Sequence, residues 1–341
     1  MTAPDNIFLP YKQKGTEILQ FDSNIEIDES RQLASDFKSE LSFVWYVDSR
    51  TVTKKSDSVV DILCAAEYNE KRLGDAVSID RDQSETGEIT MGKYGIQMYS
   101  IRDVARTDLR LALRTVAELG YSYVEFAGFF GHPAKEVKSW LKEYGLTCSG
   151  THTCITLETL DDIIAYHQEL ECDNLIIPVA GWETEDKLKE YIPMFNEAQE
   201  RLAAAGIRLG YHNHSQEFLR TSYGIIPEEE LLSQTKIELE IDTFWAFNAG
   251  VDPVEFMEAH KDRIRVIHLK DGIPSAPECK TYDRIHEGAQ GKALGEGKAP
   301  IAQICDWASR NNVLMVVESE GLDPTGPEEV GRCIRYLRTL G

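Results

Sequence analysis

Short apolar runs and longer amphipathic segments alternate along residues 93 to 341. The segment from Ile237 to Asp242 shows the strand pattern most clearly, because apolar Ile237, Leu239 and Ile241 alternate with acidic residues. Alternation with a period of two predicts a β-strand with one apolar face. Eight strands are predicted on runs of this kind, at 94–100, 123–129, 147–153, 174–180, 208–214, 237–243, 265–270 and 314–319.

The segments between these strands carry helix signals. Leu109, Leu113 and Val116 recur on one helical face before Gly120, which favours a helix end. Asp252 precedes Pro253 and Glu255 in a capping pattern that predicts another helix start. Further helices are predicted from 133 to 144, 182 to 205, 300 to 308 and 327 to 340.

Strands that alternate with helices predict parallel βαβ units. Eight units within the 249 residues from 93 to 341 match the size of a closed (β/α)8 TIM barrel, which has about 250 residues. An open doubly wound sheet is the alternative architecture. It favours a G-x-G-x-x-G turn after the first strand, and the sequence there, SIRDVA, has no glycine.

The first 90 residues follow a different pattern. They carry 18 acidic and 10 basic residues, a net charge of −8, without a regular period. Phe43, Trp45, Tyr46 and the apolar run 59–64 favour a small folded unit over disorder. We predict an N-terminal accessory domain of unknown role over residues 1–90, with polar residues 81–90 as its linker to the barrel.

Composition restricts the compartment and the partners. The sequence has no apolar run long enough to span a membrane and no basic and apolar leader, so we expect neither membrane insertion nor secretion. Seven cysteines without a C-x-x-C pair are typical of free thiols in the cytoplasm. A net charge of −22 opposes binding to nucleic acid. A small molecule is the expected partner, and a homo-oligomer or a partner subunit stays open.

Polar residues close the last four predicted strands at equivalent depth. They are His212, Asp242, His268 and Glu318. Reactive groups of such barrels lie at the carboxyl ends of the strands, and mixed nitrogen and oxygen ligands suit a divalent transition metal. Taken singly, each residue has a structural alternative, such as a hydrogen-bonded core histidine. We expect one such structural pair, Arg208 with Glu240, below the site.

Seven motifs in this order resemble the sugar phosphate isomerase/epimerase family, the xylose isomerase-like TIM barrels. They are YGIQMYSIRD, YVEFAGFFG, GYHNHSQEF, ELEIDTFW with AGVDP, VIHLKDG, LGEG and VVESEG, and they cover residues 93 to 341. The resemblance implies a divalent metal, Mn²⁺ first, with Mg²⁺, Co²⁺, Fe²⁺ or Zn²⁺ as alternatives. Asp242, His268 and Glu318 match the family's ligand positions. The fourth position is commonly glutamate, so here either His212 or Glu217 is the fourth ligand.

The family's common chemistry is removal of a proton next to a carbonyl group. The resemblance therefore implies a metal-dependent sugar isomerase or epimerase acting on a keto-sugar or related polyol. The alternatives are a lyase or dehydratase, whose branch shares the His-Asn-His pattern, and a non-catalytic sugar-binding partner subunit. For the reaction we predict His152, His214 or Glu125 as base and Lys270 as a partner for an oxyanion or hydroxyl. The predicted substrate-binding residues are Gln97, Tyr99, Glu217 and Trp245.

Phosphate recognition has little support in the sequence. Only the turn Gly295-Glu296-Gly297 resembles a phosphate cradle, and its glutamate repels anions. Whether the sugar is phosphorylated stays open.

Overall fold

A computed structural model describes residues 94–340, so the predicted accessory domain at 1–90 lies outside the described residues. Eight parallel strands close into a barrel in the spatial order β1-β10-β7-β6-β5-β4-β3-β2. This confirms the predicted (β/α)8 TIM barrel. The barrel strands are β1 Tyr94–Gln97, β2 Tyr123–Phe126, β3 Thr147–His152, β4 Asn174–Ile177, β5 Arg208–His212, β6 Glu238–Asp242, β7 Ile264–Leu269 and β10 Leu314–Val317.

The helices lie between the strands, as predicted. They are α1 Arg102–Ala105, α2 Leu109–Leu119, α3 Ala134–Tyr144, α4 Leu160–Leu170, α5 Glu185–Ala204, α6 Pro227–Gln234, α7 Thr243–Ala249, α8 Pro253–Ala259, α9 Ile301–Asn311 and α10 Gly326–Leu340. Gly120 ends α2 in the left-handed region at φ 97°, and the Asp252 carboxylate accepts the backbone N–H groups of Val254 and Glu255 at the start of α8. None of the described helices is long and apolar enough to cross a membrane.

Most of the predicted strands are too long at their carboxyl ends. The predicted first strand, for example, continued to residue 100, whereas β1 ends at Gln97 because the Gln97 side chain accepts the backbone N–H of Tyr99 and starts a 3-10 turn. Likewise β5 ends at His212 and β10 at Val317. The polar residues that follow leave the sheet where the barrel opens, which is where the candidate site lies.

Two β-bulges change the strand register inside the barrel. One separates Val124 from Glu125 in the pairing of β2 with β3, and the other separates Leu239 from Glu240 in the pairing of β6 with β7. A bulge redirects the side chain next to it and is common near active sites. In each case the extra residue lies on the partner strand: Ser149 of β3 lies opposite the step to Glu125, and Arg265 of β7 lies opposite the step to Glu240.

A two-stranded antiparallel hairpin, absent from the prediction, follows β7. It consists of β8 Asp271–Ile273 and β9 Gln290–Lys292. The Asp271 carboxylate accepts four backbone N–H groups at 2.8 to 3.0 Å, from Gly272, Gly295, Gly297 and Ala299. The turn that resembled a phosphate cradle therefore already surrounds a carboxylate of the protein itself.

Candidate active site

The strand ends bring the four predicted metal ligands together. One nitrogen or oxygen atom from each of His212, Asp242, His268 and Glu318 lies within 4.8 Å of the other three. His212 Nε2 is 3.6 Å from Asp242 Oδ2 and 3.7 Å from Glu318 Oε2. His268 Nδ1 is 3.3 Å from Glu318 Oε2. We call these four residues the upper cluster; all of them are buried.

The upper cluster fits a metal ion by spacing and by donor type. Ligand atoms that bind one ion at about 2.0–2.3 Å lie roughly 3–4 Å from one another. Among residues 94–340, neither His212 Nε2 nor Asp242 Oδ2 has a hydrogen-bond partner, although both atoms are buried. Burial raises the pKa of Asp242 to about 7, and the negative charge of Glu318 adds to this. A divalent cation at this place would instead stabilise the ionised carboxylate.

Lys270 places a positive charge beside the upper cluster. Its ammonium group lies 3.1 Å from Glu318 Oε2 and 3.8 Å from Asp242 Oδ2, and it also pairs with Glu320. Burial lowers the pKa of Lys270, but the carboxylates of Glu318, Glu320 and Asp242 outweigh that effect and raise it. The ammonium group lies 4.7 Å from the centre of the Trp245 ring. Lys270 is therefore a fixed cation at the site.

Below these residues lies a second group, which we call the lower ring: Glu125, His152, Glu240 and His268. His268 belongs to both groups, since its Nδ1 faces Glu318 and its Nε2 faces Glu125 and Glu240. Glu240 was expected to pair with Arg208, and that prediction is wrong. Arg208 bonds instead to Glu238 and Asp173, each at 3.2 Å. The Glu240 carboxylate contacts His152 and His268.

The three predicted base candidates have different environments. His152 bonds to Glu125 and Glu240, whose charges outweigh burial and raise its pKa to about 9. A protonated imidazole cannot act as a base at neutral pH, so the structure argues against His152. Glu125 is fully buried and faces His152 and His268, which argues against it also.

His214 meets the requirement for a base. Neither of its ring nitrogens has a hydrogen-bond partner in the described part of the chain. Nδ1 is buried, so Nε2 is the ring nitrogen that solvent can reach. Burial lowers the pKa of His214 well below its ordinary value, and the neighbouring His212 and Lys270 lower it further. The ring is therefore neutral, and its centre lies 5.0 Å from that of His212.

Two of the predicted substrate-binding residues lie beneath the mouth. Gln97 is fully buried, and it donates to Glu125 Oε1 at 2.8 Å and accepts the Tyr99 N–H. Glu217 accepts the Tyr211 hydroxyl at 3.0 Å and the backbone N–H of His214 at 2.9 Å, so it stabilises the turn after β5. Neither side chain faces a substrate, and Glu217 does not join the upper cluster.

The other two predicted substrate-binding residues lie where a ligand can reach them. Tyr99 is exposed, with the Arg102 guanidinium 4.3 Å from its ring centre. The Trp245 ring lies beside Lys270 and His286. His286 and Glu320 were not predicted. His286 lies on the loop between β8 and β9, and its position in the sequence gives no signal of its approach to Trp245.

The family model for the xylose isomerase-like TIM barrel matches residues 113–340. The chain belongs to this family. A solved sugar phosphate isomerase/epimerase from Parabacteroides distasonis is similar, with 26% identity and a TM-score of 0.60 over 75% of this chain and 97% of that one. A probable 3-DHS dehydratase from Bacillus anthracis shares the fold, with 14% identity and a TM-score of 0.54 over 72% of this chain and 97% of that one.

A curated relative is an inosose dehydratase from Geobacillus kaustophilus. It is 24% identical over 186 residues, which is 47% of this chain. The match spans 60% of the relative's length. Members of the family thus include proteins named as isomerases and as dehydratases.

Proposed function

We propose that this chain is a divalent-metal-dependent enzyme that removes the proton next to the carbonyl group of a keto-sugar or related polyol. The observation that carries the proposal is the upper cluster, a buried group of nitrogen and oxygen donors with two unpartnered atoms, beside the neutral ring of His214 and the cation Lys270.

The proposed ligands of the metal are His212, Asp242, His268 and Glu318. A metal bound there would polarise the carbonyl and neutralise the charge that develops on its oxygen. Lys270 adds a second positive charge on the same side and orients a neighbouring hydroxyl or oxyanion. Trp245 holds one face of the site beside Lys270.

The proposed base is His214. Its Nε2 takes the proton from the carbon next to the carbonyl, which is a step typically worth about 10²–10⁴ in rate. The Glu217 bond to the His214 backbone fixes the turn that carries this ring. The glycine turn at 295–297 is not available to a substrate phosphate, because the Asp271 carboxylate already accepts its backbone N–H groups.

Elimination is the outcome that this arrangement favours. Two-base epimerisation requires a proton acceptor on one face of the substrate and a proton donor on the other, whereas elimination needs only one base. Among residues 94–340, His214 has no protein partner on either ring nitrogen, unlike His152. After His214 removes the proton, the electron pair forms the carbon–carbon double bond. The bond to the β-hydroxyl or other β-substituent breaks, and the departing group takes a proton from solvent. The dehydratase name of the curated relative agrees with this outcome.

A one-base isomerase is the second candidate, and the name of the Parabacteroides structure favours it. In that reaction His214 removes the proton, exchanges it with solvent and delivers a proton to the neighbouring carbon, and no substituent leaves. The two outcomes share the metal, the base and the substrate class, and they differ only in the product.

The test is to incubate the Mn²⁺- or Co²⁺-loaded full chain with keto-sugars and keto-inositols in D₂O and to follow the reaction by NMR. An unsaturated product with loss of the β-substituent supports the lyase, whereas deuterium in an intact isomer supports the isomerase. His214→Gln should abolish turnover, and His260→Gln, outside the site, is its matched control. Full activity of the metal-free protein would overturn the proposal.

A further inference from the structure

The lower ring connects two imidazoles with two carboxylates by four short contacts. His268 Nε2 lies 2.7 Å from Glu125 Oε1 and 3.0 Å from Glu240 Oε1. His152 Nε2 lies 2.7 Å from Glu240 Oε1 and 3.1 Å from Glu125 Oε1. Each nitrogen thus has one close carboxylate oxygen and a second at longer range.

The spacing distinguishes the two groups. The contacts of the lower ring, 2.7 to 3.1 Å, have the length of charge-assisted N–H···O hydrogen bonds. The upper cluster is wider, with 3.3 to 3.7 Å between the atoms of His212, Asp242, His268 and Glu318. The contact lengths therefore favour hydrogen bonds in the lower ring and a central ion in the upper cluster, although Glu125 Oε2 and Glu240 Oε2 are also buried without a partner among residues 94–340.

We propose that Glu125, Glu240 and His152 are positioning residues that hold the proton of His268 on Nε2 and thereby keep its Nδ1 unprotonated and directed at the metal. This inference rests on the metal site in the proposed function. It assigns a role to Glu240, which no motif of the sequence suggested. His152 has a different role. Its Nε2 lies between the carboxylates of Glu125 and Glu240, which would otherwise repel each other.

The surrounding backbone is built around the two glutamates. The register of the neighbouring strands shifts next to both glutamates, because β3 and β7 each carry one extra residue there. Glycine at position 150 leaves room for several side chains, since a Cβ there would lie 2.6 Å from Ile176 Cδ1, 2.9 Å from Asn174 Nδ2 and 3.1 Å from Glu125 Oε2. The Gln97 amide donates to Glu125 Oε1 at 2.8 Å and fixes the carboxylate from the other side. These features hold the acceptors in place before any metal binds.

The variants that test this role are Glu125→Gln and Glu240→Gln in the full chain. Glu238→Gln is the matched control, because Glu238 is on the same strand two residues earlier but pairs with Arg208 and Arg265 instead of the lower ring. The measurements are Mn²⁺ affinity by competition with a chelator, the visible spectrum of the Co²⁺-loaded protein, the number of ions per chain, and the ¹⁵N NMR signature of the His268 tautomer.

Loss of a carboxylate that orients a metal-binding histidine typically weakens metal binding by about 10- to 100-fold. We expect a loss in this range and an altered Co²⁺ spectrum in Glu125→Gln and Glu240→Gln, no change in Glu238→Gln, and an Nε2–H tautomer of His268 in the Zn²⁺-loaded wild type. The tautomer measurement needs no variant, so it decides the proposal even if a substitution prevents folding.

Four results would overturn the inference. Wild-type affinity in both ring variants, or an Nδ1–H tautomer of His268, would remove the positioning role and leave the proposed function intact. Two ions per wild-type chain, one of them lost in Glu240→Gln, would make the lower ring a second metal site. Absence of any divalent ion from the wild type would overturn this inference and the proposed function together.

Discussion

Replacement of Asp271 by asparagine tests how the loop after β7 is held next to Lys270. Asp271 accepts four backbone N–H groups, two on each carboxylate oxygen. Asparagine keeps one oxygen, so two of the four N–H groups lose their acceptor and face an amide nitrogen that cannot accept. A hydrogen bond to a charged group is worth about 1.5–3 kcal/mol. Asp271→Asn should therefore lower the free energy of unfolding by roughly 3–6 kcal/mol.

This loss is a large share of the 5–15 kcal/mol that is typical of a whole protein. The assay is urea unfolding of the metal-free chain at pH 7, followed by circular dichroism. Asp262→Asn, at an exposed position outside this network, is the control and should lie within about 0.5 kcal/mol of wild type. A loss below about 1 kcal/mol in Asp271→Asn would refute the reasoning, because it would mean that the four bonds do not hold the glycine turn.

Three further predictions follow from single residues. Gly297→Ala should destabilise the same turn by at least about 1–3 kcal/mol in the same urea assay, because a Cβ there would lie 2.1 Å from Asp271 Oδ1; wild-type stability would contradict this. Glu228→Gln should remove a pH dependence of stability, because burial, reinforced by the charge of Glu217, raises the pKa of Glu228 to about 8. The folded protein then keeps a proton that the unfolded chain releases, so stability present below about pH 4.5 is lost as pH rises through 8, by up to roughly 5 kcal/mol. An unchanged difference between pH 5 and pH 9 in the variant would count against it. His214→Gln should lower kcat by about 10²–10⁴ without changing Mn²⁺ affinity, and unimpaired turnover would exclude it as the base.

The sequence was sufficient to predict the barrel and the upper cluster. Helix ends at Gly120 and Asp252 follow from local rules, and the alternation in β6 fixes which side chains point inward. Barrel closure then brings the polar ends of neighbouring strands together, so the convergence of Asp242 and His268 follows from topology alone.

The lower ring could not be predicted in the same way. Two bulges set its geometry, and a bulge adds one residue that periodicity alone does not reveal. The alternation of side chains along a strand predicted that Glu125 and Glu240 point into the barrel. It did not show that both carboxylates contact His268. The same limit applies to Gln97 and Glu217. The sequence predicts both at the barrel mouth, whereas in the structure both lie beneath the mouth and form hydrogen bonds to other protein groups.

The loop between β8 and β9 depends on long-range contacts. Asp271 bonds to the backbone of residues up to 28 positions away, and His286 reaches Trp245 only because this loop folds back. Neither contact has a local signature in the sequence. For that reason the glycine turn resembled an anion-binding site, although its backbone N–H groups bind Asp271.

The number of divalent ions bound per chain is the most direct test of the central claim. Metal analysis of the wild type and of a variant with Asp242→Asn and Glu318→Gln should give one ion per wild-type chain, bound to the upper cluster, and none in the variant. The same number of ions in both proteins, or none in either after loading with Mn²⁺ or Co²⁺, would contradict the account.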